Sequence, residues 1–250
     1  SPCRNFDLDV LALRDDDIPE YVQDAVADLG IVGENIVREK CARVEAILKL
    51  GFGHCRLSIS VPQRSSIRSV KQLNRRRIAT AYPATLKQFL RSEGLKAEVI
   101  ELSGAVELAP TLDVADAICD IVSTGTTARV NGLRPLSTVL TSEAVLVANP
   151  ATLKNPKKRR LIDRLLIRIS GSLQAHGKRY MMMNAPASAV PRLKRIIPSL
   201  KSPTVVPLAE EGMVALHSVI PEDVFWDVME KLKKAGASDI VVVPIEAIIR

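Results

Sequence analysis

The densest run of residues able to do chemistry is Asp116-Ala-Ile-Cys-Asp120-Ile-Val-Ser-Thr-Gly-Thr-Thr127. Its first half reads as a strand, where alternate side chains point to one side, so Asp116 and Asp120 share a face. Its second half, Ser123, Thr124, Gly125, Thr126 and Thr127, breaks the strand where a helix is due. Gly125 lets the backbone turn without a Cβ clash. Hydroxyls and free N–H groups at a helix N-terminus form an anion site. Two carboxylates leading into such a cradle could hold a ribose 5-phosphate, with the acids on the sugar hydroxyls and the loop on the phosphate. A strand followed by an ordinary capped helix uses the same residue types, and the spacing alone leaves both readings open.

Two further groups stand out. Arg14-Asp15-Asp16-Asp17-Ile-Pro19 sets three carboxylates beside an arginine. They could meet ribose hydroxyls, a base or magnesium, or they could cap a helix and favour its dipole. Gly104 to Pro110 places Glu107 in an apolar turn, where a carboxylate needs partners and either a cap or a ligand would serve. Other features read as structure. Arg75 to Arg77 and Lys157 to Arg160 suit solvated faces, and Met181 to Met183 suit core filling in a strand. His54, His176 and His217 are far apart, with no Ser or Cys nucleophile motif to suggest a triad.

The elements that must position these residues alternate between apolar runs and helical patterns, as in α/β proteins. Strands are expected at 8–13, 30–33, 56–61, 77–81, 97–102, 117–122 and 144–148, with the chain running through 136–140 before the last of them. Helices are expected from Asp17, with Glu20 completing a capping box, and at about 35–50, 83–93, 105–108, 126–130 and 157–176. The last stretch changes rhythm. A strand at 180–184, a helix at 189–197, strands at 204–208 and 214–220, a helix at 224–234 and a strand at 240–243 give the β-α-β-β-α-β order of a ferredoxin-like domain.

Composition narrows the partners. Hydrophobic residues are 47% and charged residues 25% of 250 residues, enough for a sizeable core without staples. The net charge of +7 suits polyanions. One Trp, three Tyr and four Phe leave few platforms for stacking exposed bases, so phosphorylated small molecules are favoured over nucleic acid. Cys3, Cys41, Cys55 and Cys119 form no CxxC pair and read as reduced cytosolic thiols. No run has the roughly 18 apolar residues of a membrane helix, and no signal peptide is visible. The chain opens Ser-Pro without an initiator Met, which suggests residues ahead of it.

Taken in order, Arg14 to Pro19, Asp28-Leu-Gly-Ile-Val-Gly33, Gly51-Phe-Gly-His-Cys55, Ile78-Ala-Thr-Ala-Tyr-Pro83, Leu102 to Pro110 and Asp116 to Thr127 resemble the ATP phosphoribosyltransferase family over nearly the whole chain. Ser202-Pro-Thr204, Val214-Ala-Leu-His217 and Gly236-Ala-Ser238 resemble the regulatory tail of its long form. The resemblance implies an α/β fold: a two-lobed catalytic core like type II periplasmic binding proteins, plus a C-terminal ferredoxin-like, ACT-like α+β domain. It implies lobe I at 1–62 with 141–176, lobe II at 63–140, and a regulatory domain at 177–250. It further implies a cytoplasmic enzyme that joins ATP to phosphoribosyl pyrophosphate with Mg2+ as cofactor, in a homohexamer built from dimers and inhibited by histidine, with no nucleic acid or membrane as partner.

Under this resemblance, Glu107, Asp116, Asp120 and Ser123 to Thr127 would bind phosphoribosyl pyrophosphate, with Asp116 and Asp120 catalytic. Arg14, Asp15, Asp16, Asp17 and Tyr82 would bind ATP, and Thr204, His217 and Ser238 would bind histidine. The family opens with a strand and a basic, glycine-containing loop that no residue ahead of Ser1 supplies here, and the segment from Glu39 to Gly51 is shorter than usual. A small-ligand receptor on the same two-lobed fold would be expected to carry an export signal and no regulatory tail. A regulatory paralogue without activity is the third reading.

Overall fold

A computed structural model describes residues 1–122, 131–200 and 202–249. The chain divides into two units, Ser1–Leu161 and Ile162–Arg250.

The first unit holds two sheets. In the smaller, β8 (Ala144–Ala148) lies between β1 (Leu29–Gly33) and β2 (Glu45–Lys49), antiparallel to both. β8 is buried along its whole length, which explains its unbroken apolar sequence. Helices α1 (Ile18–Gln23) and α2 (Glu34–Glu39) bring Val22 and Ile36 to the core made with Val32, Val145 and Val147. Burying a side chain the size of Val22 stabilises by roughly 1.5–3 kcal/mol. Gly30 lets α1 approach β1 closely, because a Cβ there would lie 2.5 Å from Ile18 Cγ2 and 2.9 Å from Val22 Cγ2. Asn149, just past β8, accepts from Ala151 N and donates to the carbonyls of Val22 and Gln23. One amide thus starts α4 (Pro150–Lys154) and closes α1.

The larger sheet has the order β5-β4-β6-β3-β7, formed by Glu98–Glu101, Arg77–Thr80, Ala117–Val122, Cys55–Pro62 and Leu133–Ser142. β4 runs parallel to β5 and β6, whereas β3 runs antiparallel to β6 and β7. Helix α3 (Pro83–Ser92) covers one face, packing Leu86 and Leu90 against Leu57, Ile59 and Ile78. Pro83 starts it, where a missing N–H costs nothing, and Gly94 at φ +68° ends it. The boundary expected at residue 62 sets β3 in lobe I, but its hydrogen bonds place it inside this second sheet.

Three sequence expectations differ from the fold. The helix expected over 35–50 is α2 followed by β2, with Cys41 at φ 50° between them. A short apolar run fits a strand or a buried helix equally by periodicity, and β8 supplies the strand partner. Leu8 to Leu13 forms no ladder, only the single bridge Pro2↔Asp9. Asp17 makes no side-chain cap bond, and its carbonyl instead accepts from Glu20 N and Tyr21 N.

In the second unit, β9 (Lys178–Pro186), α6 (Val190–Ile196), β10 (Thr204–Pro207), β11 (Met213–Pro221), α7 (Phe225–Lys234) and β12 (Ser238–Pro244) follow the expected order. The sheet order β10-β11-β9-β12, antiparallel throughout, is the ferredoxin-like one. Met181, Met183, Leu216 and Ile220 face Leu193 of α6 and Leu232 of α7, so two of the three methionines are core, as expected, whereas Met182 lies on the other face and is only part-buried. The long helix α5 (Pro156–Ala175) crosses the division between the units. Within the second unit, its Gly171 carbonyl accepts from Ile248 N, and a Cβ on Gly171 would meet Ile249 Cδ1 at 2.6 Å. Among the described residues no helix is long and apolar enough to cross a membrane.

Candidate active site

The parallel strands β4 and β6 are in register, with Thr80 opposite Cys119. Asp120 therefore lies near their C-terminal ends, where open α/β sheets bind ligands. Asp116 lies at the other end. Its Oδ2 accepts from Arg77 N at 2.8 Å and its Oδ1 is 3.6 Å from the Arg77 guanidinium, which also reaches Asp113 Oδ1 at 2.9 Å. Burial pushes the Asp116 carboxyl up, but the bonds and charge from Arg77 outweigh it and hold the group below the usual carboxylate range. The two aspartates share a face, as alternation requires. They are nonetheless separated by four residues of strand, about 13 Å. The geometry does not bring them together on one small ligand.

Asp120 has the opposite environment. Burial raises its pKa, the backbone N–H of Ile121 partly offsets this, and the nearby charge of Glu107 raises it further. Glu107 lies in a 3-10 turn over Val106–Leu108 that starts from Ala105 in the left-handed region at φ 50°. Val106 is buried and anchors the turn against Ile118 of β6. Glu107 is thus within electrostatic reach of Asp120, at the strand end that leads into the expected phosphate loop. That loop, Ser123, Thr124, Gly125, Thr126 and Thr127, falls outside the described residues.

Tyr82 joins the two sheets. It packs against the apolar cores of both. Its backbone N–H donates to Thr80 Oγ1 at 2.9 Å. Burial pushes the phenol up to about 12, a hydrogen bond with the Asn35 side chain opposes this, and the charges of Asp120, Cys55 and Asp16 add to it. The phenol is therefore neutral at physiological pH. Of the acidic run, Asp16 is within electrostatic reach of Tyr82, and Arg14, Asp15, Asp16 and Asp17 are all solvent-exposed.

Sequence reasoning missed the residues of α2 that meet this junction. Asn35 is buried, its N–H donates to Ser142 Oγ at 3.0 Å, and Ser142 Oγ donates back to Asn35 Oδ1 at 2.9 Å. Glu39, one turn on, receives bonds from the start of α3. The signal was two polar side chains at i and i+4 on a helix, obscured by extending that helix to residue 50. Among the described residues, no group of three or more His, Cys, Asp or Glu is arranged to hold a metal.

In the second unit, Thr204 and His217 are directly opposite on β10 and β11. His217 Nδ1 is 3.1 Å from the Tyr180 hydroxyl, with the rings edge to face. Ser238 is on β12, at the far edge of the sheet, with β11 and β9 between it and Thr204. Three strand spacings are about 14 Å, so one copy of the chain pairs Thr204 with His217 and leaves Ser238 apart.

Comparison with known proteins agrees with this architecture. The family model described as ATP phosphoribosyltransferase matches residues 14–171, and that described as HisG, C-terminal domain, matches residues 175–247. The ATP phosphoribosyltransferase of Cytophaga hutchinsonii is 48% identical over 98% of this chain and 85% of its own length. That of Bacteroides fragilis is 44% identical over 98% of this chain and 86% of its own. A chain of the ATP phosphoribosyl transferase HisG:HisZ complex of Thermotoga maritima superposes with a TM-score of 0.55 at 28% identity, covering 62% of this chain and 74% of that one. The chain belongs to the ATP phosphoribosyltransferase family, the glycosyltransferases that join ATP to phosphoribosyl pyrophosphate in the first step of histidine biosynthesis.

Proposed function

We propose that this chain carries out that transfer at the junction of its two sheets, with Asp120 and Glu107 on the ribose and the segment from Ser123 to Thr127 on the 5-phosphate. The observation that supports the assignment is Asp120 at the C-terminal end of β6, within electrostatic reach of both Glu107 and Tyr82. The reaction displaces pyrophosphate from the ribose C1 by N1 of ATP. It needs no covalent enzyme nucleophile, so the protein contributes positioning and electrostatics. A carboxylate under the ribose favours the positive charge that develops on the sugar. Asp120 is suited to this because, among the described residues, no cation is paired with it.

Asp116, expected to share the task, serves better as a clasp between β4 and β6, since Arg77 already occupies it. ATP is assigned to Tyr82, with Arg14 and Asp15 to Asp17 at the rim. Mg2+ in phosphoryl sites takes one or two carboxylates plus substrate phosphates rather than an all-protein cage. The Glu107–Asp120 pair fits that donor set, and the bound ion would neutralise charge on the departing pyrophosphate. By sheet membership, we assign the lobes to the three-stranded and five-stranded sheets, with β3 in the latter.

The second unit is assigned to histidine inhibition, with Thr204 and His217 as one contact set and Ser238 as a contact in another copy, in a homohexamer built from dimers. A cytoplasmic location fits an enzyme of biosynthesis. The test of the active-site reading is calorimetry with phosphoribosyl pyrophosphate on the variant Thr124→Val with Gly125→Ala. Greatly weakened binding with an intact fold is expected, and unchanged affinity would remove the loop from the site.

A further inference from the structure

The N-terminus of α3 is capped by a residue from the other sheet's layer. Tyr82 makes no side-chain cap and Pro83 has no N–H to satisfy. Leu86 N donates to Tyr82 O, within the first turn. The N–H groups left over are those of Ala84 and Thr85. Glu39 takes both: Oε1 accepts from Ala84 N at 2.8 Å, and Oε2 accepts from Thr85 N at 2.9 Å and from Thr85 Oγ1 at 2.8 Å. A carboxylate at this end is also favoured by the helix dipole, and bonds to a charged acceptor are stronger than neutral ones.

Glu39 is the last residue of α2, which belongs to the three-stranded sheet's layer, while α3 covers the five-stranded sheet. One turn earlier, the Asn35 side chain lies close to the Tyr82 phenol. Residues four apart share a helix face, so a single face of α2 sets Asn35 near the Tyr82 ring and Glu39 on the backbone that follows it. We infer that Glu39 is a positioning residue for the nucleotide half of the reaction: by capping α3 across the junction, it sets where Tyr82 stands and so how ATP is presented. This rests on the assignment of Tyr82 to the ATP site.

The test is steady-state kinetics on the full chain with each substrate varied in turn, plus thermal midpoints. Glu39→Gln keeps the length of the side chain but offers one acceptor where two are needed. It should raise KM for ATP by about fivefold or more and change KM for phosphoribosyl pyrophosphate by less than about twofold. Thr85→Val removes one of the three bonds and should shift KM for ATP the same way by less. It decides the matter if Glu39→Gln does not fold. Glu39→Asp, which keeps the charge, should recover part of the loss. A folded variant in which both KM values stay the same, or move together, would make Glu39 a plain helix cap and overturn the inference. Tyr82→Ala separates the two ideas. If it leaves KM for ATP unchanged, the nucleotide assignment itself fails. If it raises KM for ATP while Glu39→Gln and Thr85→Val do not, only the role of Glu39 fails.

Discussion

Asp116 and Asp120 are on one strand and one face, yet their surroundings give them opposite work. The Asp116 carboxyl titrates below its ordinary value, so it adds stability that is present above an unfolded pKa of about 3.9 and is lost as pH falls through the lower folded value. Asp116→Asn should therefore lower the thermal midpoint at neutral pH, with the gap to the parent narrowing below about pH 4. Thermal scans between acid and neutral pH read this directly. A variant with an unchanged midpoint but lost turnover would return Asp116 to the substrate. Asp120 titrates above its ordinary value because it is buried and the charge of Glu107 is within reach. Such a group is least costly when protonated, so its ionised form is a burden on the fold at neutral pH. Asp120→Asn should leave the thermal midpoint level or higher while cutting turnover. Loss of a group that acts in the transition state costs about 2–4 kcal/mol, roughly 30-fold to 1,000-fold in kcat. Near-normal kcat would mean that Asp120 only caps the strand end.

At the scale of elements, the small sheet depends on how closely α1 lies on β1. Gly30→Val would drive a side chain into Ile18 and the fully buried Val22. Overpacking of this kind costs about 1–3 kcal/mol, which a urea midpoint would show, and an unchanged midpoint would mean that α1 lifts freely. Most of this architecture was legible in the sequence, because apolar runs and helical periods map directly onto β3 to β6, β8 and the C-terminal β-α-β-β-α-β order. What was not legible depends on distant partners. Glu45 to Lys49 becomes a strand only because β8 has an open edge. Leu8 to Leu13 has strand composition but pairs only through one bridge. The same limit applies at the site. Alternation placed Asp116 and Asp120 on one face, and their spacing already implies about 13 Å of strand between them, but the partner that occupies Asp116, Arg77, is 39 residues away. Glu39 drew no notice because its partners are 45 and 46 residues away.

For the whole molecule, inhibition from a separate unit requires histidine to favour one of two global states, and where the chain is cut decides whether this can be tested. Removing 177–250 would strip Ile248 and Ile249 from α5, where they pack over Gly171. The division at Leu161 avoids this, because α5 from Ile162 onward belongs to the second unit. Residues 1–161 should therefore be compared with the full chain in histidine titrations of the rate. The full chain should be inhibited and the shorter one should not. Within the full chain, Thr204→Val and His217→Ala remove facing groups on neighbouring strands. Each should raise the histidine needed for half inhibition by about tenfold, the effect of losing a bond worth about 1.4 kcal/mol. Ser238 is beyond the reach of a ligand held by that pair in the same copy, so Ser238→Ala should matter only where copies associate. Sedimentation alongside the titration would show whether its effect appears with the oligomer. Equal inhibition of both lengths, competitive with ATP, would place histidine at the junction of the two sheets instead and end the regulatory assignment.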